Sequence, residues 1–315
     1  IAPMAGELGV ALRPLLHDAC VAVSRAAAFF FSELCEYLEE TALEECPWLI
    51  GDLNNMIVSN DWNSVENGLT VLESAALVYG EQDPNGLLTI VPTLLYLIKT
   101  EGVPMTIRMM SVSCMTCVVM CSDELFIPYA TEAVGICCEV LQTRDPELLT
   151  MRSRALELVG KLIKHVGFEY LQDNVDRLLN NVVALMGEGE DSFAKTVFDF
   201  LEILAEDVKP SLTHYTSVLQ LLNGYMPLII ELVRSDRDLF YRKRGTAADE
   251  FGKLGSDFGY EEDSEMKSIL VSRVEDMKKK ASAIDAMMSI CKNVTDLCNA
   301  YYKDVINCLL EATDH

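Results

Sequence analysis

Three cysteines on one predicted helix are the first residues in this chain whose type and spacing suggest chemistry. Cys114 and Cys117 form a CxxC pair, which can ligate zinc or serve thiol–disulfide exchange, and Cys121 follows. The i, i+3 and i+7 spacing places all three thiols on one helix face among methionines and valines. No second CxxC or histidine pair follows at a ligand spacing. We therefore predict core thiols and no metal site.

The histidines and the known catalytic motifs give no enzymatic signal. The chain has no glycine-rich phosphate loop, no dinucleotide-binding fingerprint, no HExxH and no GxSxG. The histidines are dispersed and have no obvious acidic or nucleophilic partner; they are His17, His165, His214 and His315. We predict that the protein is not an enzyme and that it needs no cofactor.

Charge and cysteine usage restrict the possible partners. The 315 residues include 49 acidic and 25 basic side chains, for a formal net charge of −24. Such a surface repels nucleic acid and anionic membranes and attracts basic partners. No apolar run reaches the roughly 18–20 residues that a membrane span needs, so we expect neither nucleic-acid nor membrane binding. The odd count of 11 cysteines indicates reduced thiols, as in the cytosol or nucleus.

Carboxylates and amides at helical spacing are the best candidate binding residues. Asp173, Asp176 and Asn180 recur at steps of three and four, opposite an apolar stripe. Such side chains can hold lysine- or arginine-rich peptides by charge-assisted hydrogen bonds, and the alternative is that they only keep an exposed face soluble. The full candidate set is Asp52, Asn55, Glu132, Glu139, Asp173, Asp176, Asn180 and Asp304.

An acidic run forms a second candidate contact for a basic partner. It lies in a glycine-containing segment that interrupts the helical pattern, and we expect a partly ordered loop there. For the segment the alternative is an eroded repeat, and for the acidic run it is a solvated charged face. Its members are Glu261, Glu262, Asp263 and Glu265.

A pair of amphipathic helices between residues 151 and 187 is the unit that positions these side chains. Gly167 separates two stretches whose apolar residues recur at steps of three and four. Neither stripe can be covered by the pair alone, so neighbours of the same kind are required. Matching positions in successive first helices are 48, 38, 42 and 43 residues apart, close to the HEAT or armadillo repeat length; they are Ala27, Ala75, Ser113, Ala155 and Phe198.

The pattern predicts an all-α solenoid of HEAT-type hairpins, wound as a right-handed superhelix, and we expect this chain to be a fragment of a longer array. HEAT hairpins are expected over 1–234, an acidic irregular insertion over 235–272, and a further hairpin over 273–315. In stacked hairpins the second helices commonly line the concave wall. The predicted helix pairs are 21–40 with 48–58, 65–79 with 86–98, 106–121 with 127–141, 151–166 with 168–186, 193–208 with 215–233, and 274–293 with 300–312.

Residues 105–312 resemble the importin-beta (karyopherin) family of nuclear transport receptors, and most of all its importin-5 branch. The likeness rests on Phe126, Pro128 and Tyr129, then on residues 151–154 (MRSR), then on the helices of residues 275–310. It implies a monomer that shuttles between cytoplasm and nucleus and binds nuclear localisation signals. It also implies regulation by GTP-bound Ran and contact with Phe-Gly nucleoporins. The alternative is a HEAT scaffold subunit of a multiprotein complex, for example a phosphatase.

Overall fold

The computed structural model describes most of the chain, and every regular element in the described residues is helical. These residues are 2–38, 41–80, 82–143, 145, 148–171, 174–186, 191–207, 215–235 and 262–313. No strand occurs among them. The predicted all-α class is therefore confirmed.

The chain divides into two compact units, Ile1–Asn181 and Val182–His315, and the boundary falls within one helix. In unit 1 the helices are α1 Ala2–Leu12, α2 Val21–Leu38, α3 Ala42–Glu45, α4 Leu49–Ile57, α5 Trp62–Tyr79, α6 Pro84–Leu88, α7 Val91–Lys99, α8 Met105–Ser122, α9 Ile127–Gln142 and α10 Leu149–His165. Helix α11, Asn174–Met186, contains the boundary. Unit 2 continues with α12 Asp191–Asp207, α13 Tyr215–Ser235, α14 Glu262–Asn293 and α15 Thr295–Thr313.

Each unit is a stack of helical hairpins. In unit 1 the first helices α2, α5, α8 and α10 pack side by side, and the second helices α4, α7 and α9 each pack against a first helix. In unit 2, α12 packs against α14, and α13 packs against both α14 and α15. The residues buried between these layers include Phe31, Leu53, Leu69, Leu94, Cys114, Leu156, Leu162, Leu201, Met226, Ile229, Met287 and Ile290.

The predicted repeat length is visible in the helix starts and in the hydrogen bonds. The first helices α2, α5, α8, α10 and α12 begin 41, 43, 44 and 42 residues apart. Asn67 donates to Ser24 Oγ across 43 residues, and Cys114 donates to the Leu69 carbonyl across 45. Equivalent positions of neighbouring hairpins are thus in direct contact, which confirms the repeat.

Two helix predictions were wrong in detail. The helix expected over 86–98 is divided into α6 and α7, because Pro92 in the first turn of α7 has no N–H for the preceding turn. The last hairpin begins at Glu262, well before the predicted start, so residues 262–272 are helical and not part of an irregular insertion. Acidic residues are favourable at a helix N-terminus, which explains why this acidic run can begin a helix. Residues 236–261 lie outside the described residues.

Two apolar helical stretches pass a length and composition test for membrane spans, so the expectation that no stretch would do so was wrong. They are Met105–Gln142 and Thr216–Arg234, and 56% and 44% of their most apolar windows are buried inside the protein. The first stretch comprises α8, a 3₁₀ turn and α9. Core helices pass the same test, and the burial shows that much of this apolar surface packs within the hairpin stack.

Candidate peptide-binding face of the second helices

The carboxylate of Asp52 already binds a guanidinium of its own chain. Arg13, in the 3₁₀ turn after α1, donates from Nε at 2.6 Å and from Nη2 at 2.7 Å to the two oxygens of Asp52 on α4. The Asp52 side chain is only 12% exposed, and the Arg13 guanidinium lies 4.6 Å above the ring centre of Trp48. These hydrogen bonds raise the pKa of Arg13. Asn55, on the same helix, is exposed.

The two candidates on α9 share one face of the helix, seven residues apart. Glu132 accepts a hydrogen bond of 2.7 Å from Lys99 at the end of α7, and both side chains are about half exposed. Glu139 is exposed and lines a cleft together with Lys99 and Arg108. The exposed Lys99–Glu132 pair contributes little to stability, so a basic ligand could replace Lys99 at a small cost in free energy.

Helix α11 lies directly beside α9. Asp176 and Asn180 are exposed, as predicted, whereas Asp173 lies outside the described residues. The side chains that reach α9 are instead Asn174, Arg177 and Asn181, at i, i+3 and i+7. They donate to the Thr131 carbonyl at 3.3 Å, to Gln142 Oε1 at 3.0 Å and to the Cys138 carbonyl at 3.1 Å, respectively. These three contacts were not predicted from the sequence, although the i, i+3 and i+7 spacing is visible there.

Asp304 lies in unit 2, where it again meets a cation from the preceding second helix. Arg234, at the end of α13, places Nη2 3.3 Å from the Asp304 carbonyl and 3.6 Å from its Oδ1. The acidic run is placed differently from the prediction: Glu262, Asp263 and Glu265 lie in the first turns of α14, and Glu261 lies outside the described residues.

Three carboxylates of the candidate set have cationic partners within the chain. In Arg13–Asp52, Lys99–Glu132 and Arg234–Asp304, the cation belongs to one second helix, or to the turn after α1, and the carboxylate to the next second helix. Helix α11 contacts α9 through Asn174, Arg177 and Asn181, so Asp176 and Asn180 lie on a neighbouring helix to Glu132 and Glu139 but at other positions around it. The cations were missed because their partners are more than 30 residues away in sequence.

The thiols that suggested metal chemistry belong to the helix packing. Cys114 is fully buried and donates to the Leu69 carbonyl at 3.3 Å, and burial raises its pKa well above the ordinary value. Burial also raises the pKa of the half-buried Cys117 to about 12. Across the described ranges, no group of three or more His, Cys, Asp or Glu side chains could hold a metal ion.

These features define the class: an all-α protein of stacked helical hairpins, of the HEAT and armadillo kind. No family model and no curated protein matches the sequence. Among solved structures, importin beta in an ammonium sulfate condition has a TM-score of 0.70 at 14% identity and covers 98% of this chain. Kap121p bound to Pho4p has a TM-score of 0.56 at 17% identity over 92% of the chain. A designed armadillo repeat protein has a TM-score of 0.54 at 12% identity over 92%.

The likeness to these structures is a likeness of fold. The chain spans only 23% to 35% of the length of the importin beta and Kap121p structures that it matches. The finer resemblance to the importin-5 branch stays a prediction.

Proposed function

We propose that this chain is a segment of a nuclear import receptor. It binds basic, nuclear-localisation-type cargo through carboxylates and amides of the second helices, and GTP-bound Ran controls release. The similarity in fold to importin beta and to the Pho4p-bound Kap121p supports this proposal. The receptor shuttles between cytoplasm and nucleus as a monomer and contacts Phe-Gly nucleoporins in passage.

The contact between Arg13 and Asp52 is the observation that carries the proposal. It contains what recognition of an arginine side chain requires, namely a two-point carboxylate contact and an aromatic face. Similar cation–carboxylate contacts between consecutive second helices recur at Lys99–Glu132 and Arg234–Asp304. A cargo peptide with regularly placed cations would extend this pattern to Glu139.

The direct test measures the affinity of the 315-residue chain for a labelled lysine-rich peptide by fluorescence anisotropy, from about 50 to about 300 mM salt. We expect the affinity to fall steadily as salt rises. Combined substitution Glu132→Gln, Glu139→Gln and Asp176→Asn should weaken binding by roughly tenfold or more.

The matched control removes three exposed carboxylates from first helices instead, with Glu33→Gln, Glu73→Gln and Glu157→Gln. Its net charge change is the same, so it separates a local site from general attraction. Equal losses in the two triple variants, or an affinity that ignores salt, would contradict the proposal. Displacement of the peptide by GTP-loaded Ran, and not by GDP-loaded Ran, tests the release step.

A HEAT scaffold subunit is the second candidate, and exposed aromatic side chains favour it. Phe29 and Tyr37 on α2 are 59% and 58% exposed, and such residues are enriched at contacts with folded partners. A scaffold would retain its partner when GTP-loaded Ran is added. Co-purification in the presence and absence of GTP-loaded Ran therefore distinguishes the two functions.

A further inference from the structure

A cleft in unit 1 lies between two consecutive hairpins. It has a volume of about 170 Å³ and lies between the end of α7, the start of α8, the end of α9 and the start of α10. Most of its wall is apolar. The lining residues are Ile98, Lys99, Met105, Arg108, Ile136, Glu139, Val140, Thr143, Leu148 and Met151.

Arg108 gives the cleft its unused hydrogen-bonding capacity. Its Nε donates to the Ile98 carbonyl at 2.8 Å, and this contact fixes the half-buried side chain in the wall. Among the described residues, its two terminal nitrogens have no hydrogen-bond partner and no carboxylate partner. A half-buried guanidinium with free donors favours a carboxylate, which can accept two hydrogen bonds from it.

The other charges in the cleft do not cancel this preference. Lys99 is already neutralised by Glu132 at 2.7 Å. Glu139 is exposed, so water screens its charge, whereas the half-buried Arg108 acts through a less polar surrounding. The strongest unmet charge in the cleft is therefore positive, although the protein as a whole carries a net charge of −24.

The size of the cleft sets the kind of ligand. Sites for drug-sized molecules usually measure roughly 300–1,000 Å³, well above the 170 Å³ found here. One large aliphatic side chain fits such a space, with its backbone passing along the surface.

We propose that this cleft binds a partner peptide that inserts one leucine-like side chain and presents a neighbouring carboxylate to Arg108. The ligand is thus acidic and apolar, the opposite in charge to the cargo proposed above, so the site goes beyond the proposed function. An extended acidic segment of a second protein has this chemistry.

The test uses the 315-residue chain and the fluorescein-labelled peptide acetyl-Gly-Ser-Glu-Leu-Glu-Ser-Gly, with anisotropy as the readout. We expect saturable binding that weakens at least roughly tenfold when the peptide leucine is replaced by alanine or both glutamates by glutamine. Arg108→Gln should cause a similar loss. Met105→Trp should also weaken binding, because it fills the cleft and leaves the charges unchanged.

Arg25→Gln is the matched control, since it removes one arginine charge from α2, where Arg25 pairs with Glu66 outside the cleft. This variant should bind the acidic peptide as the parent does. The lysine-rich peptide should bind the Arg108→Gln variant undiminished, so failure of this site and failure of the cargo proposal give different results. Absence of saturable binding to the parent chain, or binding by the Arg108→Gln and Met105→Trp variants as strong as that of the parent, would overturn the inference.

Discussion

The hydroxyl of Tyr301 on α15 reaches Asn223 on α13, at 3.1 Å from its Oδ1 and 3.4 Å from its backbone carbonyl. Pro227 lies inside α13, four residues after Asn223, and has no N–H with which to complete the helical hydrogen bond to that carbonyl. The Tyr301 hydroxyl of the next hairpin therefore donates to the Asn223 carbonyl, which Pro227 leaves without a helical donor. Pro227 and Tyr301 are thus linked through the Asn223 carbonyl.

The link between Pro227 and Tyr301 predicts coupled effects of two substitutions. Tyr301→Phe should destabilise the packing of α13 and α15 by about 0.5–1 kcal/mol, because Asn223 loses its donor. In a Pro227→Ala background the cost should shrink, since the restored N–H satisfies the Asn223 carbonyl within the helix. Amide hydrogen exchange in α13 and α15 measures both values. The control is Tyr302→Phe, a neighbour that is 58% exposed; additive costs in the double variant would refute the coupling.

The pairing of Asp52 with Arg13 predicts that the candidate residues contribute unequally to the affinity for a basic peptide. Asp52→Asn should reduce affinity for the lysine-rich peptide less than about twofold, because this carboxylate is already occupied by Arg13. Glu139→Gln, at an exposed position, should reduce it by roughly threefold or more. Anisotropy titrations of the two single variants provide the comparison. A larger loss from Asp52→Asn would mean that cargo displaces Arg13.

The same pairing has a spectroscopic consequence. Because the Arg13 guanidinium is stacked 4.6 Å from the Trp48 ring centre, Asp52→Asn should release it and change the emission of Trp48. The measurement is made in a Trp62→Phe background, which leaves Trp48 as the single tryptophan of the chain. Asn55→Ala, on the same helix but at an exposed position, should leave the emission unchanged.

Local signals explain why the repeat could be predicted from the sequence. Residues 83–86 (DPNG) are of types that favour a chain reversal, and Asp83 Oδ1 there accepts a hydrogen bond of 2.9 Å from the Gly86 amide. Turn residues and apolar steps of three and four act within a few residues, so one sequence contains them fully. The all-α class and the period of about 40–47 residues follow from such signals.

Side-chain pairing across hairpins was not predictable in the same way. Arg13 and Asp52 are 39 residues apart, and Lys99 and Glu132 are 33 apart. The chain has 25 basic residues, and only the packing of one helix on the next determines which of them meets a given carboxylate. The candidate carboxylates were therefore identified from residue type and helix face, whereas their cationic partners could be identified only from the structure.

Gly51 and Gly80 predict opposite responses to the same substitution. Gly51 lies in α4, and a Cβ there would meet no atom within 4 Å. Gly51→Ala should therefore stabilise unit 1 by up to about 1 kcal/mol, because alanine loses less conformational entropy in a helix. Urea unfolding followed by circular dichroism measures the change.

Gly80 ends α5 at a close approach to α8. A Cβ at this position would overlap the Cβ of Cys121 and lie 2.6 Å from the Ala76 carbonyl oxygen. Gly80→Ala should destabilise unit 1 by about 1–3 kcal/mol, since α5 and α8 must separate. The same urea measurement applies, and equal stability of Gly80→Ala and the parent would show that this contact is not tight.

The buried thiol of Cys35 on α2 predicts a loss of stability in alkaline solution. Burial, with smaller contributions from Cys46 and Glu36, raises the pKa of Cys35 to about 12. In the unfolded chain the same thiol has a pKa of about 8.5. Between these values the unfolded chain releases the proton and the folded chain retains it, so the free energy of unfolding falls as pH rises. The contribution is complete below about pH 8.5 and disappears as pH approaches about 12.

Cys35→Ala isolates this contribution. The slope for one group is at most about 1.4 kcal/mol per pH unit, so the parent should lose about 1–2 kcal/mol more than the variant between about pH 8 and pH 10. The cavity left by the substitution lowers stability equally at both pH values and does not affect the difference. Urea unfolding at the two pH values supplies the measurement, and Cys20→Ala is the control because Cys20 is exposed. Parallel pH curves for the parent and Cys35→Ala would show that this thiol is not held neutral by burial.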